Sequence, residues 1–180
     1  MENTEFKNAF EYKVIYVWTA ANNPAYSGLV KIGDATVKTE LSIDMLSPNC
    51  RELNQAALAR IKSYTNTAGI TPKLLHTELA VRSVKDKDGK IGIRAFRDHQ
   101  VHAVLKNSGI QNIELGDTTG KEWFEIDIDT ARKAIDSVKK GYLNLSNTGV
   151  VKHAPIIFRP EQSECIAKVV NILKKQIVFL

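Results

Sequence analysis

Two segments near the N-terminus are rich in β-branched and aromatic residues, and a run of turn-forming residues separates them. Residues 12–18 read YKVIYVW and residues 29–33 read LVKIG, compositions that favour strands. Residues 20–28 between them, AANNPAYSG, supply the Asn, Pro and Gly of a loop that is longer than a tight turn. The sequence therefore predicts an antiparallel hairpin near its start.

Apolar residues at spacings of three and four predict three helices after this hairpin. We place Ser47 as the N-cap of the first helix and Pro48 as its first residue. The apolar stripe of the second helix consists of Phe96, Val101, Val104 and Leu105. Asp129 caps the third helix, which stops at Gly141.

Two further segments have the pattern of strands. Residues 73–82 alternate between apolar and polar side chains, and residues 122–128, EWFEIDI, form a short strand. A charged loop with a turn at Asp88-Gly89 occupies residues 84–92. The fold class predicted from these elements is α+β, with a small antiparallel sheet of about three strands flanked by helices.

Charge and cysteine usage narrow the class of protein. The 25 Lys and Arg against 20 Asp and Glu give a formal charge of +5, which permits a polyanionic partner without requiring one. Cys50 and Cys165 lie outside any CxxC spacing, which favours a reducing, cytoplasmic compartment over a disulfide framework or a zinc site. No apolar run reaches the roughly 20 residues that span a bilayer, so no membrane partner is expected.

Several common enzyme motifs are absent from the sequence. It contains no His-Glu-x-x-His, no G-x-x-x-x-G-K-[ST] phosphate-binding loop and no G-x-S-x-G. A zinc hydrolase, a nucleotide-binding P-loop within this segment and an esterase are therefore not indicated.

Five short segments together form a pattern along the chain. They are VIYVW at 14–18, GLVKIGDA at 28–35, ARIKSYTNTAG at 59–69, HQVHAVL at 99–105 and EWF at 122–124. In this order they resemble the GIY-YIG nuclease family, in particular a divergent branch found in phage and bacterial restriction-type proteins. The resemblance implies a GIY-YIG-like nuclease domain over residues 1–140.

The chain departs from the family pattern at two positions. Val14 stands where the family has Gly, and Lys31 replaces the second Tyr. The second change is shared by the branch that the chain resembles. The Asn that some members place after the glutamate has no secure counterpart here.

The resemblance implies catalytic roles for Tyr16, Lys31, Arg60, His102 and Glu122. Glu122 would hold Mg²⁺ or Mn²⁺, and one carboxylate suffices because Mg²⁺ keeps several waters. Tyr16 would help to activate the attacking water. Since the ordinary pKa of a phenol is near 10, Tyr16 needs the neighbouring cations Lys31 and Arg60 to act as a base. These two cations would also clamp the phosphate, and His102 would transfer protons.

Each of these residues also has an ordinary structural interpretation. Glu122 would be the solvated end of a strand, and Arg60 an exposed helix cation. Tyr16 would be a packing residue of the sheet, and Lys31 an exposed strand lysine. His102 would be a histidine satisfied at the edge of the core.

A basic stretch is the candidate contact with DNA. It comprises Lys62, Lys85, Lys87, Lys90, Arg94 and Arg97. The loop at 84–92 mixes these cations with Asp86 and Asp88, so a solvated charged loop is the better-supported interpretation of that part.

The C-terminal segment has a different character. Residues 141–152 are predicted as a linker. Residues 153–180 contain IIFRPEQSECIAKVVNIL, which resembles the opening of superfamily 2 helicase domains. Gln162 would then contact the adenine of ATP, and QIVFL would lead into a P-loop beyond Leu180. This resemblance implies the truncated start of a helicase-like domain in a longer chain, with ATP needed only by the missing part.

These observations lead to one hypothesis and two alternatives. The hypothesis is a metal-dependent endonuclease that hydrolyses DNA phosphodiester bonds as the N-terminal cutting module of a restriction or defence helicase. The first alternative is a catalytically inactive DNA-binding module of the same fold. The second is a regulatory domain that binds other proteins.

Overall fold

The predicted hairpin lies at the centre of an antiparallel sheet. The computed structural model of the protein describes residues 10–65, 70–85, 87–114, 122–147 and 168. Its strands are β1 (Phe10–Ala20), β2 (Leu29–Thr39), β3 (Pro72–Leu79), β4 (Val81–Lys85), β5 (Ile91–Ala95), β6 (Asn112–Ile113) and β7 (Trp123–Glu125). Its α-helices are α1 (Arg51–Thr65), α2 (Asp98–Asn107) and α3 (Ile128–Lys140).

The fold class is α+β, as predicted, but the sheet is larger than expected. Within the described residues the main sheet has five strands in the order β3-β1-β2-β7-β6, all paired antiparallel. Strands β4 and β5 form a separate two-stranded sheet. Four of these strands correspond to segments predicted as strands, one more than the predicted count of about three. The fifth, β6, was missed because it spans two residues and is too short to show a period-2 pattern.

The two faces of the sheet pack against different helices. In the register of β1 and β2, Tyr16 lies opposite Gly33 and Trp18 opposite Lys31. Successive side chains of a strand point to opposite faces. Ile15 and Val17 therefore pack with residues of α2 and α3, whereas Tyr16 and Trp18 pack with residues of α1. Strand β1 is buried on both faces, which makes it the central strand of the core.

The strand predicted over residues 73–82 is interrupted at Ala80. The Ala80 N–H donates to the carbonyl oxygen of Lys13, and its own carbonyl oxygen accepts from the N–H of Phe96, at 2.8 and 2.9 Å. Ala80 is fully buried at this crossing. The chain therefore leaves the main sheet here and continues as β4, and the segment predicted as a loop at 84–92 joins β4 to β5 and includes parts of both.

The helices begin at residues other than those predicted. Asn49 has a φ of 62°, in the left-handed region, and the helix begins only after it, so α1 starts at Arg51 rather than Pro48. The N-cap of α3 is Asp127, whose carboxylate accepts from the N–H of Thr130 at 2.7 Å, and not Asp129. Helix α3 ends at Gly141 in the left-handed conformation, as predicted.

Helix α2 begins after Phe96, the first residue of its predicted apolar stripe. Phe96 lies before the helix, which spans Asp98–Asn107, and is buried in the core beside it.

Part of the predicted linker packs against α2. The Asn107 side-chain amide donates to the carbonyl oxygen of Leu143, and the N–H of Leu145 donates to the Ser108 hydroxyl, each at 2.9 Å. Gln162 and the rest of the helicase-like segment, apart from Lys168, lie outside the described residues. In the described ranges no helix has the length and apolar character needed to cross a membrane.

Candidate active site

A pocket opens beside β2 at the point where its pairing with β7 ends. Strand β7 pairs with β2 only along Leu29–Lys31, and the Ile32 N–H adds one bond to the Glu122 carbonyl oxygen at 3.3 Å. Beyond that point a cavity of about 350 Å³ lies beside the sheet. It is lined by Tyr16, Lys31, Asp34, Arg60, Tyr64, Arg97, Asp98 and Glu122. Four of the five predicted catalytic residues therefore meet in one place.

Tyr16 enters this pocket over the glycine of the KIG segment. Tyr16 is buried on β1, and Gly33 is its partner on β2. A Cβ atom at position 33 would lie 2.5 Å from the Tyr16 hydroxyl oxygen and 2.6 Å from the ring carbon that carries it. The tyrosine ring thus occupies the space that a side chain at position 33 would need. This explains why a glycine follows Ile32.

The Tyr16 hydroxyl forms a hydrogen bond with a second tyrosine, Tyr64, at 3.3 Å between the oxygens. Burial, and then this bond, raise the pKa of Tyr16 well above its ordinary value. Arg60 lowers the pKa, as the sequence interpretation expected of a neighbouring cation, but burial outweighs it. Tyr16 is therefore a neutral phenol near pH 7 that donates or accepts a hydrogen bond.

Two cations of the pocket, Lys31 and Arg60, lie against the ring of Tyr64. The Lys31 ammonium lies 4.7 Å from the ring centroid, and the Arg60 guanidinium carbon lies 5.8 Å from it, both within the range of a cation–π interaction. Lys31 also forms an ion pair with the Glu122 carboxylate at 3.0 Å. The side chain of Lys31 is 14% exposed and that of Glu122 is 42% exposed. The carboxylate thus retains access to solvent while the ammonium is largely enclosed.

The other side of the pocket is closed by a two-pronged ion pair. Arg97 Nε and one terminal guanidinium nitrogen donate to the two oxygens of Asp34, at 2.6 and 3.2 Å. This contact raises the pKa of Arg97 through its hydrogen bonds and charge attraction with Asp34. The pair links β2 to the residue that precedes α2, so the start of α2 stays beside the pocket.

His102 is the predicted residue that does not line the pocket. Its Nε2 donates to the carbonyl oxygen of Ile32 at 3.0 Å, and its ring lies 5.1 Å from that of Phe124. Burial lowers the pKa of His102, and the bond to Ile32 offsets only part of this effect. His102 therefore supports β2 from the α2 side. This placement matches the structural interpretation of a histidine at the edge of the core.

Several residues of the pocket were missed from the sequence. Tyr64 is not among the predicted site residues, although it follows Arg60 by one helical turn and so shares its face. Asp34 directly follows the KIG segment, and this position in the sequence could have identified it as a site residue. Arg97 was named only as part of the basic stretch, and no local pattern in the sequence shows that it reaches Asp34.

The donor groups of the pocket allow a metal ion with few protein ligands. The described part of the chain contains no cluster of three or more His, Cys, Asp or Glu side chains that could hold a metal. Asp34 is engaged by Arg97 through both oxygens, whereas Glu122 is half exposed and paired through Oε2. The third carboxylate that lines the pocket, Asp98, accepts from the N–H of His99 through Oδ1. Glu122 is a carboxylate that fits a Mg²⁺ or Mn²⁺ ion that retains several waters.

Comparison with known proteins places this arrangement in a family. The family described as the T5orf172 domain matches residues 13–139, which include all eight residues of the pocket. It is a phage-associated, nuclease-like domain. No curated protein and no solved structure matches the chain. The matched span covers well over half of the sequence, and the chain therefore belongs to the T5orf172 domain family.

Proposed function

We propose that this chain is a metal-dependent endonuclease that hydrolyses DNA phosphodiester bonds. The observation that carries the proposal is the pocket itself, in which the buried Tyr16, the cations Lys31 and Arg60, and the solvent-accessible carboxylate of Glu122 meet beside β2. Tyr16, Arg60 and Glu122 are its central residues. Phosphodiester hydrolysis requires a positioned water and positive charge around the phosphate, and this pocket offers groups for both. The nuclease-like character of the family supports the same conclusion.

Arg60 is the residue best suited to bind the scissile phosphate. It lines the pocket and lies against the Tyr64 ring, and among the described residues it takes part in no ion pair. Its planar guanidinium can donate two parallel hydrogen bonds to phosphate oxygens. We expect the phosphate to displace solvent from Arg60 rather than to compete with a protein carboxylate.

Lys31 would change partner when DNA binds. In the free chain its ammonium neutralises Glu122. A phosphate in the pocket offers a second anion to the same ammonium, so Lys31 moves its charge toward the phosphate and leaves the carboxylate free. Lys31 stands where the GIY-YIG pattern has its second tyrosine. The lysine keeps a hydrogen-bond donor at this position and adds a positive charge.

Glu122 would hold Mg²⁺ or Mn²⁺, which when bound supplies Lewis-acid stabilisation of the phosphate and lowers the pKa of a bound water. Tyr16 would orient the attacking water through its hydroxyl, since its raised pKa makes it a poor base. Tyr64 fixes the direction of that hydroxyl through the bond at 3.3 Å. His102 acts at a distance by holding the backbone of Ile32.

The inactive DNA-binding module remains the second candidate, and two observations favour it. Lys31 occupies the carboxylate that would hold the metal, and burial disfavours the phenolate of Tyr16. In such a module the same cations would bind phosphate without cleavage. The two functions differ in their dependence on a divalent metal.

A plasmid-nicking assay distinguishes the candidates. Supercoiled plasmid is incubated with the wild-type chain and Mg²⁺ or Mn²⁺, and then with Glu122→Ala and Arg60→Ala. Glu125→Ala and Arg51→Ala are matched controls, since Glu125 is exposed at the end of β7, directly before which Glu122 lies, and Arg51 is exposed on the same helix as Arg60, α1.

We expect nicking that EDTA abolishes, that both pocket variants lose and that both controls retain. Nicking that survives in the pocket variants would place the activity elsewhere. Salt-sensitive DNA binding without nicking would favour the binding module. The role as the cutting module of an ATP-driven helicase stays a prediction from the sequence.

A further inference from the structure

The β4–β5 ribbon stands apart from the main sheet and exposes two large apolar side chains. All of β5 is exposed, and Ile91 and Ile93 are 64% and 61% exposed. In the register of the ribbon Ile91 lies opposite Lys85, and Ile93 lies opposite Ser83. Because side chains alternate along a strand, these four residues share one face. Two exposed isoleucines on a two-stranded ribbon are unfavourable in water unless something covers them.

The same ribbon is strongly basic. Residues 81–95 contain five basic and two acidic side chains. The basic residues are Arg82, Lys85, Lys87, Lys90 and Arg94. Lys85 shares the face of the apolar pair, whereas Arg82 and Arg94 lie opposite each other on the other face of the ribbon. A second copy of the ribbon placed on this face would bring like charges together, which disfavours a symmetric contact between two chains.

The C-terminal end of β5 lies close in sequence to a residue of the candidate active site. Strand β5 ends at Ala95, Phe96 is fixed in the core by its bond to Ala80, and Arg97 lines the pocket. An extended chain rises roughly 3.3 Å per residue, so the Cα atom of Arg94 lies within about 10 Å of that of Arg97. A polyanion bound in the pocket is thus close to the ribbon.

We propose that the β4–β5 ribbon is a second DNA contact, which enters the major groove of the duplex next to the cleavage site. A two-stranded ribbon fits the width of that groove, which is about 12 Å. Ile91 and Ile93 contact base edges, and Lys85 on the same face reaches a phosphate at the groove wall. Arg94, on the other face and three residues before Arg97, reaches a phosphate on the side of the pocket. The proposal rests on the proposed function, because it takes the polyanion in the pocket to be DNA.

The test measures DNA binding without cleavage. The wild-type chain in EDTA is titrated into a fluorescein-labelled duplex of roughly 20 base pairs, about two helical turns, and anisotropy is followed over a range of salt concentrations. The apolar variant is Ile91→Ser with Ile93→Ser. Its control is Met45→Ser with Leu143→Ser, which are comparably exposed elsewhere. The basic variant is Lys85→Ala with Arg94→Ala, and its control is Lys38→Ala with Arg132→Ala.

We expect the apolar variant to bind the duplex roughly tenfold more weakly at an unchanged salt slope. The basic variant should lower the salt slope by about 2, because two phosphate contacts are lost. Neither control should change either quantity. Circular dichroism melts of all variants check that the exposed substitutions leave the fold intact.

Ribbon variants that bind like their controls would overturn the inference while the nicking assay still decides the proposed function. A wild-type chain that binds no duplex would overturn it too, as would self-association that only the apolar variant loses. If the ribbon variants weaken binding but no metal-dependent nicking occurs, the ribbon contact stands and the catalytic proposal fails.

Discussion

Two of the lysine–glutamate pairs in the chain differ in what surrounds the carboxylate. In the pocket, Lys31 binds one oxygen of Glu122, and the carboxylate is 42% exposed. On the other face of the sheet, Glu78 is 12% exposed and is bound through both oxygens. Its Oε1 accepts from Nε2 of His76 at 3.0 Å, and its Oε2 accepts from the ammonium of Lys139.

The difference shows that residue type does not distinguish a binding pair from a structural one. Burial raises the pKa of Glu78, but the hydrogen bonds from His76 and Lys139 outweigh it and hold the pKa below its ordinary value. Both oxygens of Glu78 are used, so it joins β3 to α3. Glu122 is bound by Lys31 through Oε2, and its side chain is 42% exposed to solvent. We therefore propose a functional role for the open pair, Lys31 and Glu122, and a structural role for the closed pair, Lys139 and Glu78.

The largest expected effect is on cleavage, and it separates the two glutamates directly. Glu122→Gln removes the charge that would hold the metal and should lower the nicking rate about 10³-fold or more. Glu78→Gln should change the rate of the folded fraction by less than tenfold. The measurement is the initial rate of plasmid nicking with Mg²⁺, normalised to the folded concentration. Equal losses in both variants would contradict the division into an open and a closed pair.

The next effect is on stability and should have the opposite order. Glu78→Gln leaves the charge of Lys139 without its partner, so it should lower the free energy of unfolding by about 2 to 3 kcal/mol. This is below the range for fully buried pairs because Lys139 is partly exposed. Glu122→Gln should cost less, about 1 kcal/mol, because the Glu122 side chain is 42% exposed and the Lys31 ammonium keeps its contact with the Tyr64 ring. Urea unfolding followed by tryptophan fluorescence measures both, and a larger loss for Glu122→Gln would reverse our assignment.

The open site could be predicted further from the sequence than the closed one. The strands that carry Tyr16 and Lys31 follow from β-branched composition and a period of two, and the KIG segment marks the glycine beneath Tyr16. Local pattern does not reveal contacts between distant residues. The bond between Tyr16 and Tyr64 joins helix α1 to the sheet, and Arg97 reaches Asp34 from the residue before α2. These contacts depend on how the elements pack.

The closed pair illustrates the same limit. His76 and Glu78 are two residues apart, so the sequence shows that they share a face of a strand, but not that the face is covered by α3 and Lys139. Ala80 gives no signal either, although the chain leaves the sheet there to form β4. The break is set by hydrogen bonds with Lys13 and Phe96, which are distant in sequence.

A smaller effect should appear in acid. The pKa of Glu78 is lower in the folded chain than its ordinary value of 4.5, so the unfolded chain binds more protons. The stability that this pair contributes is present above pH 4.5 and is lost as the pH falls through the lower, folded value. The difference in unfolding free energy between wild type and Glu78→Gln should therefore shrink below pH 4.5. A difference that stays constant down to pH 3 would show that folding does not lower the pKa of Glu78.

The smallest effect concerns His102, a further buried titratable group opposite the pocket. Its pKa is lowered by burial, so the unfolded chain takes up protons first as the pH falls below about 6.5, and stability declines there. His102→Gln should remove this decline. At pH 8 it should lower the free energy of unfolding by about 1 kcal/mol, because the substitution weakens the hydrogen bond to Ile32. Its nicking rate at pH 8 should fall by less than tenfold, since His102 positions β2 and does not line the pocket. A loss as large as that of Glu122→Gln, with stability unchanged, would instead support the catalytic role predicted for His102 from the sequence.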